Sequence, residues 1–418
     1  MINKILEARE NRIKVIEKHL ESYPLVIAIK ANMPGDDKQN NLSYLLIDIF
    51  HITLKKIYDD AIIEFHESTD GPYYLVYGFN DNPHDVKKLL ILLEDSHPLG
   101  RFIDLDLYTH TVSVSRSEFR KCFICEKNAA VCIRNRTHST KELLDYMDGK
   151  TQEFMRELLE ESLMDAFIKE LNVEPKFGLV TPFTSGSHDD MHYELMRSSI
   201  VVIVPYLVSM YTLGYTLELS DAFIKARIIG LEAEAEMYEK TGGVNTYKGA
   251  IFLLGIIVIA LGRYHKYYPH KNLTNIIKEM TKDILEELDD NDTFGKQAYQ
   301  LYNFYTARHE VHEGIPSVLS AYHFLKGKNM HQHNLIMTLI HIISLENDTV
   351  GLKRSGSLDN YLEIVKEISE IKVYDYKRIL EVTKKCIDRN ISFGGSADIL
   401  IASVFLILIE KKLDKLKF

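Results

Sequence analysis

The chain has little cysteine, no excess of positive charge and no apolar run long enough to stand alone in a bilayer. Four cysteines in 418 residues are too few for the disulfide framework of a secreted scaffold, and three of them cluster, so a reducing compartment is expected. Lys and Arg number 50 against 60 Asp and Glu, a formal charge of −10, which argues against general nucleic-acid binding. The most apolar runs, 200–204, 250–261 and 399–409, are too short to span a bilayer or are interrupted by Pro205, and read as buried helices. The opening segment MINKILEARENRIKVIEKHLE is an amphipathic charged helix, without the apolar core and small residues of a signal peptide. The expectation is a soluble, cytoplasmic protein with no membrane partner.

What is present is a 46% hydrophobic, 26% charged composition, ordinary for globular proteins, in a chain long enough for two or three domains. The pattern changes near Thr140 to Thr151. Before it, YPLVIAIKANMPG reads as a strand ending in a loop over 32–38, because Pro34 and Gly35 stop regular pairing. A helix over about 42–54 follows, then strands in AIIEFHES and YYLVYGF, a helix over about 83–95 and a strand in FIDLDLYTHTVSVS, 102–115. Beyond the change, helical periodicity runs to Phe418 with hardly a credible strand. The predicted fold is multidomain: an α/β (α+β) domain over residues 1–145 with a mixed or antiparallel sheet, then an all-α domain over 146–418.

The chemistry of the first domain centres on HPLGRFIDLDLY. In a strand, Asp104 and Asp106 project to one face while Ile103, Leu105 and Leu107 enter the core. Two such carboxylates suit Mg²⁺, and Arg101 just upstream suits a phosphate oxygen; the alternative is the solvated face of a half-buried strand. Cys122, Cys125, Cys132 and His138 offer either a Cys₃His zinc site or a set of reduced, partly buried thiols. The same segment is locally basic, through Arg116, Arg120, Lys121, Lys127, Arg134 and Arg136.

Three motifs of this half, NMPGDDK (32–38), HPLGRFIDLDLY (97–108) and RKCFICEKNAAVCIRNRTHS (120–139), together resemble the holo-acyl-carrier-protein synthase of citrate lyase, also called the phosphoribosyl-dephospho-coenzyme A transferase. The resemblance implies transfer of a prosthetic group to a serine of the lyase's acyl carrier protein, its γ subunit, with release of pyrophosphate. The strand-borne D-x-D also resembles nucleotidyltransferases, which implies a magnesium role for Asp104 and Asp106. An acidic carrier protein and a polyanionic coenzyme would meet the basic segment.

In the second half the stretch GLEAEAEMYEKTGGVNTYKGAIFLLG, 230–255, carries Glu232, Glu236 and Glu239 on one helical face. Gly242 and Gly243 stop that helix, and Asn245, Thr246 and Lys248 open the next near Tyr247, an arrangement suited either to cradling phosphate or merely to turning the chain. A long polar loop, EPKFGLVTPFTSGSHDDM (174–191), supplies Lys176, His188, Asp189 and Asp190; NDTVGLKRSG (347–356) supplies Arg354; SFGGSADIL (392–400) supplies Gly394, Gly395, Ser396 and Asp398. These segments, with TARHEVHEGIPSV from Thr306, resemble the triphosphoribosyl-dephospho-coenzyme A synthase family. Tyr247 stands where that family usually has histidine, Phe393 where proline is usual, and His309 and His312 replace glycine and glutamate.

The synthase resemblance implies that ATP and 3′-dephospho-coenzyme A react with loss of adenine. Such glycosyl transfer needs metal and cations at the triphosphate, a proton for adenine and a carboxylate near the ribose. The candidates are His188, Asp190 and Glu232 for catalysis, Asp189 and Asp190 for Mg²⁺, and Lys176, Gly242, Gly243, Asn245, Thr246, Lys248, Arg354, Gly394, Gly395 and Ser396 for nucleotide phosphates. The whole reads as a fusion of the two maturation enzymes. Alternatives are the equivalent malonate decarboxylase system, or one half serving only to bind the carrier protein.

Overall fold

A computed structural model describes residues 2–110, 119–286, 294–345, 348–413 and 416–418. The chain forms two compact units: Met1–Glu157 with Tyr267–His270 and Lys411–Lys415, and the remainder. The boundary after Glu157 falls inside helix α5, Thr140–Leu171.

The first unit contains α1 (Ile2–Leu20), β1 (Leu25–Ala31), α2 (Asn41–Ile57), β2 (Ile62–His66), β3 (Tyr73–Tyr77), α3 (Pro83–Ser96), β4 (Ile103–Thr109) and α4 (Ala129–Asn135). Its four strands lie in the order β2-β3-β1-β4, every pair antiparallel. Alternation sorts the two faces. Ile16 and Leu20 of α1 pack on Val26, Ala28, Tyr73, Leu75 and Tyr77, whereas Ile27, Ile29, Leu105 and Val76 point to the opposite face. That opposite face is covered by α2 and α3. Both helices start on an asparagine cap: Asn40 accepts from the Ser43 amide, and Asn82 from the His84 amide with Pro83 in the first turn. The expected strand over 102–115 ends at Thr109; its continuation, and Arg116, lie outside the described residues.

The described part of the second unit is helical. After α5 come α6 (Tyr193–Thr216), α7 (Leu219–Thr241), α8 (Lys248–Lys266), α9 (Leu273–Met280), α10 (Phe294–Tyr302), α11 (Ala307–His312), α12 (Pro316–Leu325), α13 (Gln332–Ile343), α14 (Thr349–Ser355), α15 (Leu358–Ser369), α16 (Tyr376–Asp388) and α17 (Gly394–Leu413). Pro205 does not break its helix, as its position after an apolar run suggested; it sits inside α6. Helices α6 and α8 are long and apolar enough to cross a bilayer, yet 56% and 83% of their most apolar windows are buried within the protein. They are core helices that pack on each other and on α7.

Their separation is set by glycine. A Cβ added at Gly214 would lie 1.9 Å from the Ile259 carbonyl oxygen, and one at Gly262 would lie 2.2 Å from that of Tyr211. The two backbones touch, leaving no room for a methyl on either side. Beside this contact the Tyr211 hydroxyl meets Nδ1 of the buried His265 at 3.0 Å.

Burial pulls the imidazole of His265 down to about 3, and those of His97 and His188 to about 4. The unfolded chain takes up protons below an ordinary histidine value of about 6.5 that the folded chain refuses. Stability therefore falls as pH drops from about 6.5 towards 4. In thermal melts across that window, His265→Gln should show a shallower loss of Tm with acidification than the parent; equal slopes would exclude His265 as a contributor.

Candidate functional site

In the first unit, Asp104 and Asp106 stand on edge strand β4, on the face that also carries Lys30, which is opposite Asp104 in the ladder. Asp104 is half-buried and Asp106 exposed. Arg120 reaches Asp104 Oδ1 with one guanidinium nitrogen and the buried Glu94 with another, and Glu94 also accepts from the Leu105 amide at 2.8 Å. Asp104 is thus held by a cation anchored through α3. Burial pushes the Asp104 carboxyl up, Arg120 opposes this, and the nearby Asp106 charge adds to it. Two repelling carboxylates on one face, one of them half-desolvated, are hard oxygen donors of the kind Mg²⁺ takes, and the residues fit that ion.

Arg101, expected to meet a phosphate oxygen, lines a cavity of about 300 Å³ with Arg120, Lys121 and Glu94. Its guanidinium donates to the Cys122 carbonyl at 3.1 Å and to Glu126 at 2.9 Å, so it braces the cysteine segment, and the cation on Asp104 is Arg120. In that segment Cys122, Cys125, Cys132 and His138 bring their ligand atoms within 4.8 Å of one another. Cys125 and Cys132 Sγ are 3.4 Å apart, and His138 Nε2 is buried without a hydrogen-bond partner among the described residues. Three thiols and an orphaned imidazole nitrogen fit a tetrahedral zinc ion.

Four cations that the sequence reading passed over converge on the same unit. Asp70 is fully buried; it accepts from Arg9 Nε at 3.0 Å, from Arg12 at 2.7 Å and from Lys30 Nζ. Lys38, whose ammonium donates to the Met33 carbonyl, stands beside them. The signal was faint but present: Lys30 is the one charge in the strand LVIAIKA, and Arg9 and Arg12 are three apart on α1.

In the second unit, α7 ends on Gly242 with positive φ, and Asn245 caps the start of α8 through the Lys248 amide at 3.1 Å. Gly242, Gly243, Asn245 and Lys248 are exposed, and Thr246 bonds Ser199 at 2.6 Å. Glu232 and Glu236 are exposed near Tyr206. Glu234, one step round the helix, is the carboxylate that pairs with Lys248, at 2.8 Å. It also lines a cavity of about 310 Å³ with Met210, Leu231, Phe252, Gly255, Arg227 and Arg308. Arg308 Nη1 is buried there and has no hydrogen-bond partner among the described residues. An apolar pocket with a few convergent charges is the usual form of a small-molecule site.

The remaining motifs meet in a web of buried acids. Asp348 caps α14, accepting from the Val350 and Gly351 amides, and its other oxygen accepts from the Ser396 amide and hydroxyl at 2.7 and 2.8 Å. Gly394, Gly395 and Ser396 were read as phosphate binders; the start of α17 instead already holds the protein's own carboxylate. Lys176 is corrected likewise: fully buried, it pairs with Glu170 at 2.8 Å and cannot reach a solvent-borne phosphate. A Cβ at Gly249 would sit 2.0 Å from Asp398 Oδ2, so only glycine lets that carboxylate reach the Ala250 amide. Burial, then Asp348 and Glu170, push the Asp398 carboxyl well above its usual range. Tyr247, where the resemblance anticipates histidine, is buried against Phe167 with its hydroxyl unpartnered among the described residues. Phe393 is wholly buried, and His309 makes a capping box with Thr306.

His188 and Arg354 do come together. His188 Nε2 meets Ser392 Oγ at 2.9 Å, Arg354 bonds the Asn390 carbonyl at 2.9 Å and the Ser187 carbonyl, and both feel the charges of the exposed Asp189 and Asp190. Asn347 lies outside the described residues.

The CitG family, described as ATP:dephospho-CoA triphosphoribosyl transferase, matches residues 156–416. The chain belongs to that family. Residues 1–154 match the CitX family, apo-citrate lyase phosphoribosyl-dephospho-CoA transferase. Protein CitXG of Leuconostoc mesenteroides subsp. cremoris is 29% identical, with 96% of each chain covered. Protein CitXG of Haemophilus influenzae is 27% identical over 96% of this chain and 95% of its own. A 2-(5″-triphosphoribosyl)-3′-dephosphocoenzyme-A synthase of Haemophilus ducreyi is 30% identical over 68% of this chain and 98% of its own. With CitX matched over residues 1–154 and CitG over residues 156–416, this CitG-family chain is a bifunctional transferase.

Replacing Asp348 by alanine would strand the donors that now meet its carboxylate, at the fully buried junction of α14 and α17. A loss of about 3 kcal/mol in urea unfolding is expected, and Asp348→Asn should lose less.

Proposed function

We propose that the synthase half joins ATP and 3′-dephospho-coenzyme A with release of adenine, and that the first half passes the resulting group to a serine of the citrate lyase acyl carrier protein. The division of labour follows residues 1–145 and 146–418. The observation that carries the reading is the convergence, within each matched half, of its motif residues: Asp104, Asp106 and Arg120 in one, and in the other Glu234, paired with Lys248, and Arg308 lining one cavity.

In the transferase step the carrier serine oxygen attacks the phosphorus bonded to the ribose oxygen. One P–O bond forms, the bond to pyrophosphate breaks with its electron pair, and the hydroxyl proton passes to water. When bound at Asp104 and Asp106 of this nucleotidyltransferase-like sheet edge, Mg²⁺ would neutralise charge on the phosphates. Arg120 holds Asp104 in position from Glu94. Cys122, Cys125, Cys132 and His138 would hold zinc, which when bound would brace the basic segment whose Lys121, Lys127, Arg134 and Arg136 meet an acidic carrier protein.

For the synthase, the apolar walls of the 310 Å³ cavity suit a planar base or a pantetheine stem, and Arg308 offers an unused donor. Gly242, Gly243, Asn245, Thr246 and Lys248 of the turn between α7 and α8, with Arg354, Asp189 and Asp190, remain the set we assign to the triphosphate and its Mg²⁺, and His188 with Glu232 and Asp190 the set for proton transfer and ribose charge. The equivalent maturation of malonate decarboxylase would use the same chemistry and is separated from this reading by offering each carrier protein in turn.

Two measurements test the assignment. Asp104→Asn should abolish transfer to the carrier serine, read by mass spectrometry of the carrier, while adenine release from ATP continues at the parental rate; normal transfer would remove Asp104 from the site. Purified protein should hold zinc near one ion per chain, and Cys132→Ser should lose most of it.

A further inference from the structure

The charges gathered around Asp70 exceed what a structural ion pair requires. Arg9 and Arg12 from α1, Lys30 from β1 and Lys38 from the loop 32–38 face one buried carboxylate. Arg9 is half exposed, and Arg12 and Lys30 retain 14% and 15% exposure, so the cluster opens to solvent. Its members crowd each other. Lys30 is drawn down by burial and by Arg12 and Arg9, and Lys38 by burial and by Arg9. Gly71 keeps the arrangement compact, because a Cβ there would sit 3.0 Å from the Lys38 carbonyl oxygen and 3.8 Å from Lys30 Cε.

The cluster adjoins the carboxylate pair. Lys30 pairs with Asp104 across the β1–β4 ladder, and Asp104 and Asp106 share its face. Tyr108, next on that face, feels Asp106, Arg12 and Asp104 together. A surplus of cations beside two metal-type carboxylates is the charge pattern of a site for a compact polyanion, with a divalent ion on one side and guanidinium and ammonium donors on the other.

We propose that Arg9, Arg12, Lys30 and Lys38 form the subsite that takes the departing pyrophosphate of the transferase donor. The inference rests on the transferase reading of this half and extends it to residues outside the D-x-D segment. As the P–O bond breaks, the growing charge on the leaving group falls on these four donors, while Asp70 keeps three of them aligned in its absence. Pyrophosphate alone should therefore bind, and should inhibit transfer competitively with the donor.

The experiment uses the full chain with Mg²⁺ and inorganic pyrophosphate, read by calorimetry and by inhibition of carrier modification from preformed donor. Arg9→Ala and Lys38→Ala are each expected to weaken pyrophosphate binding about tenfold, and Lys38→Arg to restore most of it. Lys18→Ala, an exposed charge elsewhere on α1, should bind as the parent does. Adenine release by the other half should be unchanged throughout, which reports intact folding. Parental pyrophosphate binding in Arg9→Ala and Lys38→Ala, or an equal loss in Lys18→Ala, overturns the subsite while leaving the transferase reading in place if the parent transfers. Failure of the parent to modify the carrier from preformed donor overturns the transferase reading instead, and the calorimetry still decides whether the cluster is a polyphosphate site.

Discussion

The second unit is organised by carboxylates withdrawn from water and satisfied by the backbone of helix starts. Asp348 bonds the first turn of α14 through one oxygen and Ser396 at the first turn of α17 through the other. Asp398, half a turn further along α17, reaches the start of α8 past Gly249. A helix start presents unpaired amides and positive partial charge, so each of these acids receives from the protein what a ligand anion would otherwise receive. The segments NDTVGLKRSG, SFGGSADIL and TGGVNTYKG are distant in sequence but become one assembly through two side chains. Neither acid is cheap to bury, and burial holds both carboxyls above their usual range despite their donors. The same arrangement recurs in the first unit with cations in place of amides, where Asp70 gathers Arg9, Arg12 and Lys30.

These contacts explain which parts of the molecule the sequence made legible. The β-branched and aromatic strands and the helical runs made β1 to β4, α2 and α3 of the first unit legible to within a few residues at most ends, because those signals are local, while the expected strand over 102–115 ends at Thr109 and α4 was not anticipated. The face shared by Asp104 and Asp106 followed from period two alone. Cysteine spacing likewise brought Cys122, Cys125, Cys132 and His138 into one cluster. The partner of Asp104 was not legible. Arg120 is sixteen residues away, beyond the reach of any strand or helix period, while Arg101, nearer in sequence, faces Glu126.

Residue types suited to phosphate proved ambiguous for a different reason. Lysine and small glycine-rich helix starts serve anions whether the anion is a ligand or a buried acid, and sequence does not say which. Lys176 and Ser396 went to internal carboxylates for that reason. Glu234 was passed over because three glutamates nearby share an exposed face, and only the packing of Ala233 and Met237 shows that Glu234 lies on the flank that turns inward. Pro205 reads as a break, yet a helix supported on both sides by α7 and α8 tolerates the lost hydrogen bond.

The paired glycines of α6 and α8 bear on the cavity beside them. Met210 and Gly255 wall that cavity from the same two helices whose backbones meet at Gly214 and Gly262. On that side α8 passes close to the Met210 side chain, whose sulfur a Cβ at Gly255 would approach to 3.0 Å, while α7 contributes Phe223, Ala226, Gly230, Leu231 and Glu234 to the lining. The α6–α8 spacing beside it is a main-chain dimension, because a carbonyl oxygen of each helix meets the glycine of the other. On the proposed reading of this cavity as a substrate site, selectivity there would rest on the side chains of Met210, Phe223 and Phe252, and relatives acting on bulkier molecules would be expected to change those three and keep the two glycines.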